Sequence, residues 1–302
     1  MIWVPLAAAA CFGVAGPAVA RRLPPMHATW ALSAGGVLAA LTSVAVLALL
    51  GSVLVGQEPD VARHGHWSVA ALRAHAPVDR DVAAAALIAA VVFSAVAAIA
   101  GGRRAWALLS AYRSCRDLPT ATGELVVIQS ARAAAYAVPG RPGRIVVSQS
   151  LLAALPAAER QAVIAHERAH LAHAHHWHLA AVNVAAALNP WLIPLRAAAH
   201  RAAERWADET AAEAVGDRRV VARALTSAAL LGTARPAPAL AAAADAVPER
   251  VAALLRQPPR PRHGLVAVVA LLLLVATAAA IASTADVENL FELARQAALP
   301  HG

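Results

Sequence analysis

The stretch His166-Glu167-Arg168-Ala169-His170 lies in the middle of the chain and guides the interpretation of the rest. From Ser150 onward the sequence is typical of helices, and Pro156 is tolerated at a helix start, so we expect a helix through Ala157–Leu179. Two histidines four apart lie about 40° apart around a helix axis and share one face. Both imidazoles can therefore reach one metal ion, with Glu167 one step round the helix.

This spacing is the H-E-x-x-H arrangement of zinc peptidases, in which the glutamate takes a proton from the attacking water. Zinc lowers the pKa of a water towards ~7 and polarises the scissile carbonyl. The alternative is a polar helical face on which histidines gather by chance. Further histidines crowd the same expected helix, at His173, His175, His176 and His178.

A second helix, expected over Leu195–Val215, carries Glu204 and Asp208 four residues apart on one face. A catalytic zinc needs three protein ligands, and two histidines with one glutamate are a known set, so Glu204 is the candidate third ligand. Asp208 can then accept from the free ring N–H of a zinc-binding histidine. The alternative is a solvated acidic face paired with Arg201 and Arg205.

His173 is a rival third ligand because it lies seven residues after His166, nearly on the same face. One straight helix turns poorly around a tetrahedral ion, however, so the sequence favours Glu204. His200 and Arg201 are weak candidates for stabilising an oxyanion.

Short segments before and after the helices complete the soluble region. Strands are expected at Glu124–Ile128, Ala133–Val138 and Arg144–Ser148, as a small antiparallel sheet with a Pro-Gly turn before the last strand. The alanine-rich stretch 234–247 is interpreted as a loop. The proline-rich run Gln257–Arg262 is interpreted as a stiff connector.

The composition excludes two broad classes. Hydrophobic residues make up 60% of the 302 residues, gathered in blocks, which excludes a simple soluble domain and a disordered chain. The net charge is +8 and every basic residue is Arg, but no Arg stripe with interleaved aromatics predicts direct nucleic-acid binding. Cys11 and Cys115 form neither a disulfide framework nor a zinc-thiolate motif.

Four apolar segments are expected to span a bilayer: Ile2–Ala20, about Ala28–Val55, Val82–Gly101 and Gly264–Ser283. The first could instead be a cleaved signal peptide, but it lacks a positive region before its apolar run. The segment Leu179–Leu195 is also apolar. A span there would separate the histidines from Glu204, so it is expected to be interfacial or re-entrant.

Arginines flanking the spans predict the orientation. Both termini are expected outside a plasma membrane, and residues 103–263 in the cytoplasm. The predicted division is a three-span region 1–102, a peptidase domain 103–263, and a fourth span with a short tail, 264–302.

Several motifs together resemble the membrane metallopeptidases of the BlaR/MecR antirepressor type. They are, in chain order, Ala135–Gly140, Ile145–Ser148, His166–His170, Asn189-Pro190-Trp191 and Glu204–Asp208. The HtpX and CAAX-processing membrane proteases are similar more distantly.

The resemblance implies a mainly α polytopic membrane protein with a cytosolic α+β, gluzincin-like zinc peptidase domain. It implies one zinc per chain, held by His166, His170 and Glu204. Glu167 acts as general base and then acid, and Asp208 supports a ligand. A strand made of Arg144, Ile145, Val146, Val147 and Ser148 receives the substrate by β-augmentation.

The typical substrate in this family is a cytosolic transcriptional repressor, and a homodimer is left open. The β-lactam sensors carry a penicillin-binding domain after the last span, whereas only Thr284–Gly302 follows here, so that mode of sensing is not expected.

Two other functions are compatible with the same residues. One is quality control of membrane proteins or CAAX-type processing by the same zinc site. The other is a metal-binding or metal-transport protein with the histidine-rich helix as carrier. Carrier histidines should lie inside the spans, and no confident span contains His, Asp or Glu.

Overall fold

The computed structural model describes residues 2–117, 123–232, 238–257 and 263–299. The fold is mainly helical, with 80% of the described residues in helices. Alanine and leucine, in which the chain is rich, both favour helices. The helices of the described residues are α1 (Val4–Ala20), α2 (Pro25–Gly56), α3 (Pro59–Gly65), α4 (Val69–Ala74), α5 (Arg80–Asp117), α6 (Gln149–Ala154), α7 (Ala157–Ala172), α8 (His175–Leu188), α9 (Ile193–Val215), α10 (Arg218–Gly232), α11 (Pro238–Leu255) and α12 (His263–Gln296).

Three helices of the described ranges are long and apolar enough to cross a membrane, namely α2, α5 and α12. They contain the last three predicted spans, so the chain has the character of a membrane protein. Helix α1 is also apolar, but it has 17 residues. At 1.5 Å per residue it extends about 26 Å, less than the ~30 Å of a hydrocarbon core. The fourth span, Ile2–Ala20, therefore stays a prediction.

The predicted boundary at residue 102 falls inside α5, which runs without a break from Arg80 to Asp117. The third candidate span thus continues directly into the region before the sheet. The division into domains stays a prediction.

The sheet is mixed, so the expected antiparallel sheet is wrong. Strands β1 (Leu125–Ile128), β2 (Ala135–Val138) and β3 (Arg144–Ser148) lie close to the predicted positions, in the order β1-β3-β2. β3 pairs antiparallel with β2 and parallel with β1. The chain runs from the edge strand β1 to the opposite edge strand β2 and then returns to form the central strand β3. β3 takes the most enclosed position because Ile145, Val146 and Val147 are buried.

The expected helix over Ala157–Leu179 is wrong beyond Ala172. Ala174 adopts a left-handed conformation with φ of 49°, and α8 begins at His175 in a new direction. His175, His176 and His178 therefore lie on a different helix from His166 and His170. Ala favours helices, so nothing in the local sequence announces this break.

Helices α8 and α9 form a hairpin that lies among the candidate spans. A 3-10 turn at Pro190–Leu192 joins them, and the Asn189 side-chain amide donates to Ser43 Oγ of α2 at 3.0 Å. The Asn189 carbonyl oxygen accepts from the backbone N–H of Trp191 at 3.0 Å. Both polar groups are satisfied in an apolar setting. These contacts support the re-entrant alternative for 179–195.

The turn of this hairpin packs tightly on α1 at Gly13. A Cβ added there would lie 1.9 Å from the carbonyl oxygen of Trp191. Only glycine permits this backbone approach.

The loop expected over 234–247 is corrected from Pro238 onward, where α11 begins. Alanine is the strongest helix former, and Pro is tolerated in a first turn, so composition and position both suit a helix. Residues 234–237 of that stretch, and 258–262 of the expected connector, lie outside the described residues.

Candidate metal centre

The candidate metal centre lies between α7 and α9, which pack side by side through small residues. The buried alanines of the two helices are Ala162, Ala165, Ala169, Ala203, Ala207 and Ala211. Small side chains at a helix contact shorten the distance between the axes. The short carboxylates of α9 can therefore reach the histidines of α7.

Three predicted ligands meet at this contact. His166 Nε2 lies 3.6 Å from Glu204 Oε2, His170 Nε2 lies 3.5 Å from Glu204 Oε1, and the two Nε2 atoms are 3.1 Å apart. Ligands of a tetrahedral zinc with bonds of 2.0–2.1 Å are about 3.3 Å apart. The donor set and its spacing therefore fit one zinc ion.

Asp208 lies against the first predicted ligand. His166 Nδ1 donates to Asp208 Oδ1 at 3.0 Å, which leaves Nε2 facing Glu204 and His170. A carboxylate on the far ring nitrogen fixes the tautomer and the orientation of a metal-binding histidine.

Arg250 of α11 is part of the site, and sequence reasoning missed it. Its guanidinium donates to both Asp208 carboxylate oxygens, at 2.8 and 2.7 Å, and lies 2.9 Å from Glu204 Oε2. Arg250 thereby holds one oxygen of Glu204 and leaves Oε1 towards His170. Because 234–247 was interpreted as a loop, the helix α11 that carries Arg250 was not predicted. No sequence motif around Arg250 indicates that it contacts the site.

The second histidine has its own support, which was also missed. His170 Nδ1 and His175 Nδ1 are 2.8 Å apart, and His175 is 1% exposed. When His170 binds a metal ion through Nε2, its proton lies on Nδ1, which then donates to His175. The break at Ala174 creates this contact, because it turns α8 back against α7.

The charges at the site compensate one another. Burial alone would lower the pKa of His166, but hydrogen bonds to Asp208 and Glu204 outweigh it and raise the pKa to about 10. Burial and the nearby His166 lower the pKa of His170 to about 4. Burial would raise the pKa of Glu204, yet His166 and Arg250 hold it well below its usual range. A bound divalent cation would take the place of the proton on His166.

Glu167 lies beside the edge strand β2, and its pKa is raised. Burial, with the charge of Glu204 adding to it, raises the pKa of Glu167, and His166 and the backbone N–H of Ala137 oppose the rise only in part. A carboxylate with a raised pKa is a better general base near neutral pH. The position and the pKa shift suit the predicted role.

His173, the rival ligand, lies apart from the three-residue group. Its Nε2 is 3.1 Å from Thr210 Oγ1, and its ring stacks on Trp206 with centroids 4.2 Å apart. Of the oxyanion candidates, His200 lies close enough for Glu204 to act on its pKa, which burial lowers. The oxyanion roles of His200 and Arg201 stay predictions.

The predicted substrate strand, Arg144–Ser148, is wrong. β3 is the central strand and pairs with β1 on one side and β2 on the other, so no edge is left for a substrate. β-Augmentation requires an exposed edge. The error follows from the strand order, which a list of strands in sequence does not contain.

Comparison with known proteins agrees with this chemistry. Residues 111–192 match the model of peptidase family M48, and the matched range contains β2, β3 and both histidines but ends before Glu204. Peptidases of this family are metal-dependent and typically use zinc. No curated protein and no solved structure matches the chain.

The match and the site together support a membrane metallopeptidase, a hydrolase of peptide bonds. They do not separate the BlaR/MecR type from the HtpX type, and this finer resemblance stays a prediction.

Proposed function

We propose that the protein is a membrane-embedded zinc endopeptidase that hydrolyses a cytosolic protein. The observation that carries the proposal is the convergence of His166, His170 and Glu204 from two helices, with a half-buried Glu167 beside them. The three ligands lie on α7 and α9, outside the candidate spans. This placement favours a peptidase over a metal carrier, whose ligands should line a path inside the spans.

The chain's own residues divide the work of hydrolysis. Zinc, when bound by His166, His170 and Glu204, polarises the scissile carbonyl and makes water more acidic. Glu167 accepts the proton of the attacking water and returns it to the nitrogen of the leaving amine. Asp208 and Arg250 keep the ligands in place while this proton moves.

The substrate is held at β2 in this proposal. β2 pairs with β3 on one side, and no described strand pairs with its other edge. This strand packs against α7 and brings Ala137 to Glu167. An extended peptide added to this edge would pass directly beside the general base. Because an edge strand accepts the middle of a chain, the proposal favours an endopeptidase.

Arginines at the span ends support a plasma-membrane protein with its peptidase region in the cytoplasm. A repressor-type regulator is the proposed substrate, from the resemblance to the BlaR/MecR type.

A second candidate function is cleavage of membrane proteins in quality control or processing. The observation that favours it is the closeness of the site to the bundle. His178, three residues after the His170 partner His175, packs edge-on against Trp30 of α2, with ring centroids 4.5 Å apart. Membrane-derived chains would therefore emerge near the metal centre.

Glu167→Gln tests the proposal, with the exposed Glu213→Gln of α9 as a matched control. The full-length protein is purified in detergent with zinc, and cleavage of labelled, unfolded casein and zinc content are measured. We expect Glu167→Gln to keep about one zinc and lose cleavage, and Glu213→Gln to keep both. A fully active Glu167→Gln protein would overturn the assignment.

A cleavage assay with other substrates separates the two substrate classes. A repressor-type protease should cleave one regulator and leave misfolded membrane proteins intact. Broad cleavage of misfolded membrane proteins that are reconstituted in vesicles together with the protease would favour the second candidate.

A further inference from the structure

A groove of about 840 Å³ lies between α5 and α8, apart from the ligands of the metal centre. α5 contributes one helical face, with Gly101, Arg104, Leu108 and Tyr112 spaced three or four residues apart. The facing wall comes from α8, again at helical spacing, and includes Trp177.

One end of the groove is apolar. Val37 of α2 and Val184 of α8 line it, and a Cβ on Gly101 would lie 3.8 Å from Val184. Val37 lies within the candidate span α2, between Ser33 and Ser43, which contact the α8–α9 hairpin. This end therefore lies at the depth of the hydrocarbon core.

The other end is strongly basic. It is lined by Arg104, Arg113, Arg116 and Arg141. Among the described side chains, which do not include that of Asp117, no carboxylate pairs with any of these four, whereas Arg168, Arg218 and Arg250 all have carboxylate partners. Four like charges that line one end of a groove repel one another, so this end is suited to an external anion.

The two ends are arranged along the membrane normal. The apolar run of α5 ends at Gly101 and Gly102, and the arginines follow at once. Trp106 and Trp177 are exposed at this level, where indole rings favour the interface between lipid and water. A phospholipid has the same order, with acyl chains in the core and a phosphate at the boundary.

An acidic peptide fits this groove less well. Its backbone N–H and C=O groups would be unsatisfied against Val37 and Val184, where neither water nor a strand edge is at hand. Basic pockets between membrane helices on the cytoplasmic side bind anionic lipid headgroups.

We infer that this groove binds one anionic phospholipid, with its phosphate among the four arginines and its acyl chains along the Val37–Val184 wall. The inference rests on the membrane position of α5 and not on peptidase activity.

The test uses native mass spectrometry of the full-length protein in detergent. The probes are palmitoyl-oleoyl phosphatidylglycerol and, with the same acyl chains, phosphatidylcholine. The groove variant is Arg113→Gln, Arg116→Gln and Arg141→Gln together. The control removes the same charge from exposed arginines elsewhere, as Arg132→Gln, Arg160→Gln and Arg219→Gln.

We expect the wild type to retain one phosphatidylglycerol in preference to phosphatidylcholine. Each arginine near a lipid surface contributes about a fivefold factor in affinity, so the groove variant should bind about 100-fold more weakly. The control variant should match the wild type. If the groove variant does not fold, as judged by its circular dichroism, Arg141→Gln alone should bind about fivefold more weakly.

Three results would overturn the inference. Equal retention of both lipids would remove the role of charge, and equal loss in the control variant would make the attraction nonspecific. Displacement of the lipid by inorganic phosphate, or by an acidic peptide, at comparable concentration would assign the groove to that ligand instead. Zinc content and cleavage do not enter the readout, so failure of the proposed peptidase function would leave this result unaffected.

Discussion

The metal centre and the lipid groove use arginine in opposite ways. At the metal centre, the Arg250 side chain is 12% exposed and lies between two carboxylates, one of which, Asp208, is 4% exposed. In the groove, Arg113, Arg116 and Arg141 are exposed and have no carboxylate partner among the side chains that the structure describes. Positive charge that is neutralised internally fixes other groups in place. Positive charge left unpaired is available to a ligand from outside.

The largest effect should come from Glu204→Ala, which removes a candidate ligand from the metal centre. We expect bound zinc to fall from about one per chain to a small fraction, with no measurable cleavage. Metal analysis after gel filtration measures this, beside Glu213→Ala on the same helix. Zinc retained at full occupancy without Glu204 would show that the histidines alone hold it, and would revive His173 as a ligand.

Arg250→Met should destabilise the protein next most strongly. Removing one partner of a buried charge pair typically costs about 3–5 kcal/mol, because the other charges stay buried. We expect a lower midpoint of thermal unfolding in the metal-free protein, and a smaller loss with zinc, which supplies the missing positive charge. Arg160→Met, at an exposed site, is the control. An equal loss for both variants would contradict the internal role of Arg250.

Asp208→Asn should have a smaller effect, since its shape is kept and only its charge is lost. Loss of such a supporting group weakens metal affinity about 10–100-fold. Competition with a zinc chelator measures the change, and Glu213→Gln serves as the reference. An unchanged affinity would mean that Asp208 orients nothing that matters to the metal.

A change in salt concentration should give the smallest effect. It distinguishes the metal centre from the groove in a single experiment. Raising ionic strength from about 0.05 to about 0.5 M shortens the range of exposed charges several-fold. We expect phosphatidylglycerol binding to weaken by a few-fold while zinc content stays constant. Equal sensitivity of both would mean that the two regions do not differ in the way their charges are screened.

The grouping of the candidate ligands could be predicted because their geometry is local. His166 and His170 share one helix face by their spacing, and Glu204 and Asp208 share another. Only the contact between the two helices had to be inferred, and the ligand set that zinc requires indicated it. The three spans α2, α5 and α12 could be predicted for a similar reason, since length and apolarity are properties of one segment.

Arg250 and the strand order could not be predicted because they depend on contacts distant in sequence. Arg250 reaches Asp208 over 42 residues, from a segment whose alanines suited a helix but whose prolines suggested a loop. β3 takes the centre of the sheet through pairings with both other strands. The break at Ala174 depends on packing of α8 in the bundle, which outweighs the helix preference of alanine.

The continuity of α9 couples the metal centre to the packing of the helix bundle. One unbroken helix carries Leu195, buried in the hairpin among the spans, and Glu204, nine residues further along. Nine residues correspond to about 13.5 Å, so a tilt of about 2° at Leu195 displaces Glu204 by about 0.5 Å. A shift of about 0.5 Å is the margin within which a catalytic constellation must be held. A small change in helix packing at Leu195 would therefore alter the spacing of the candidate ligands.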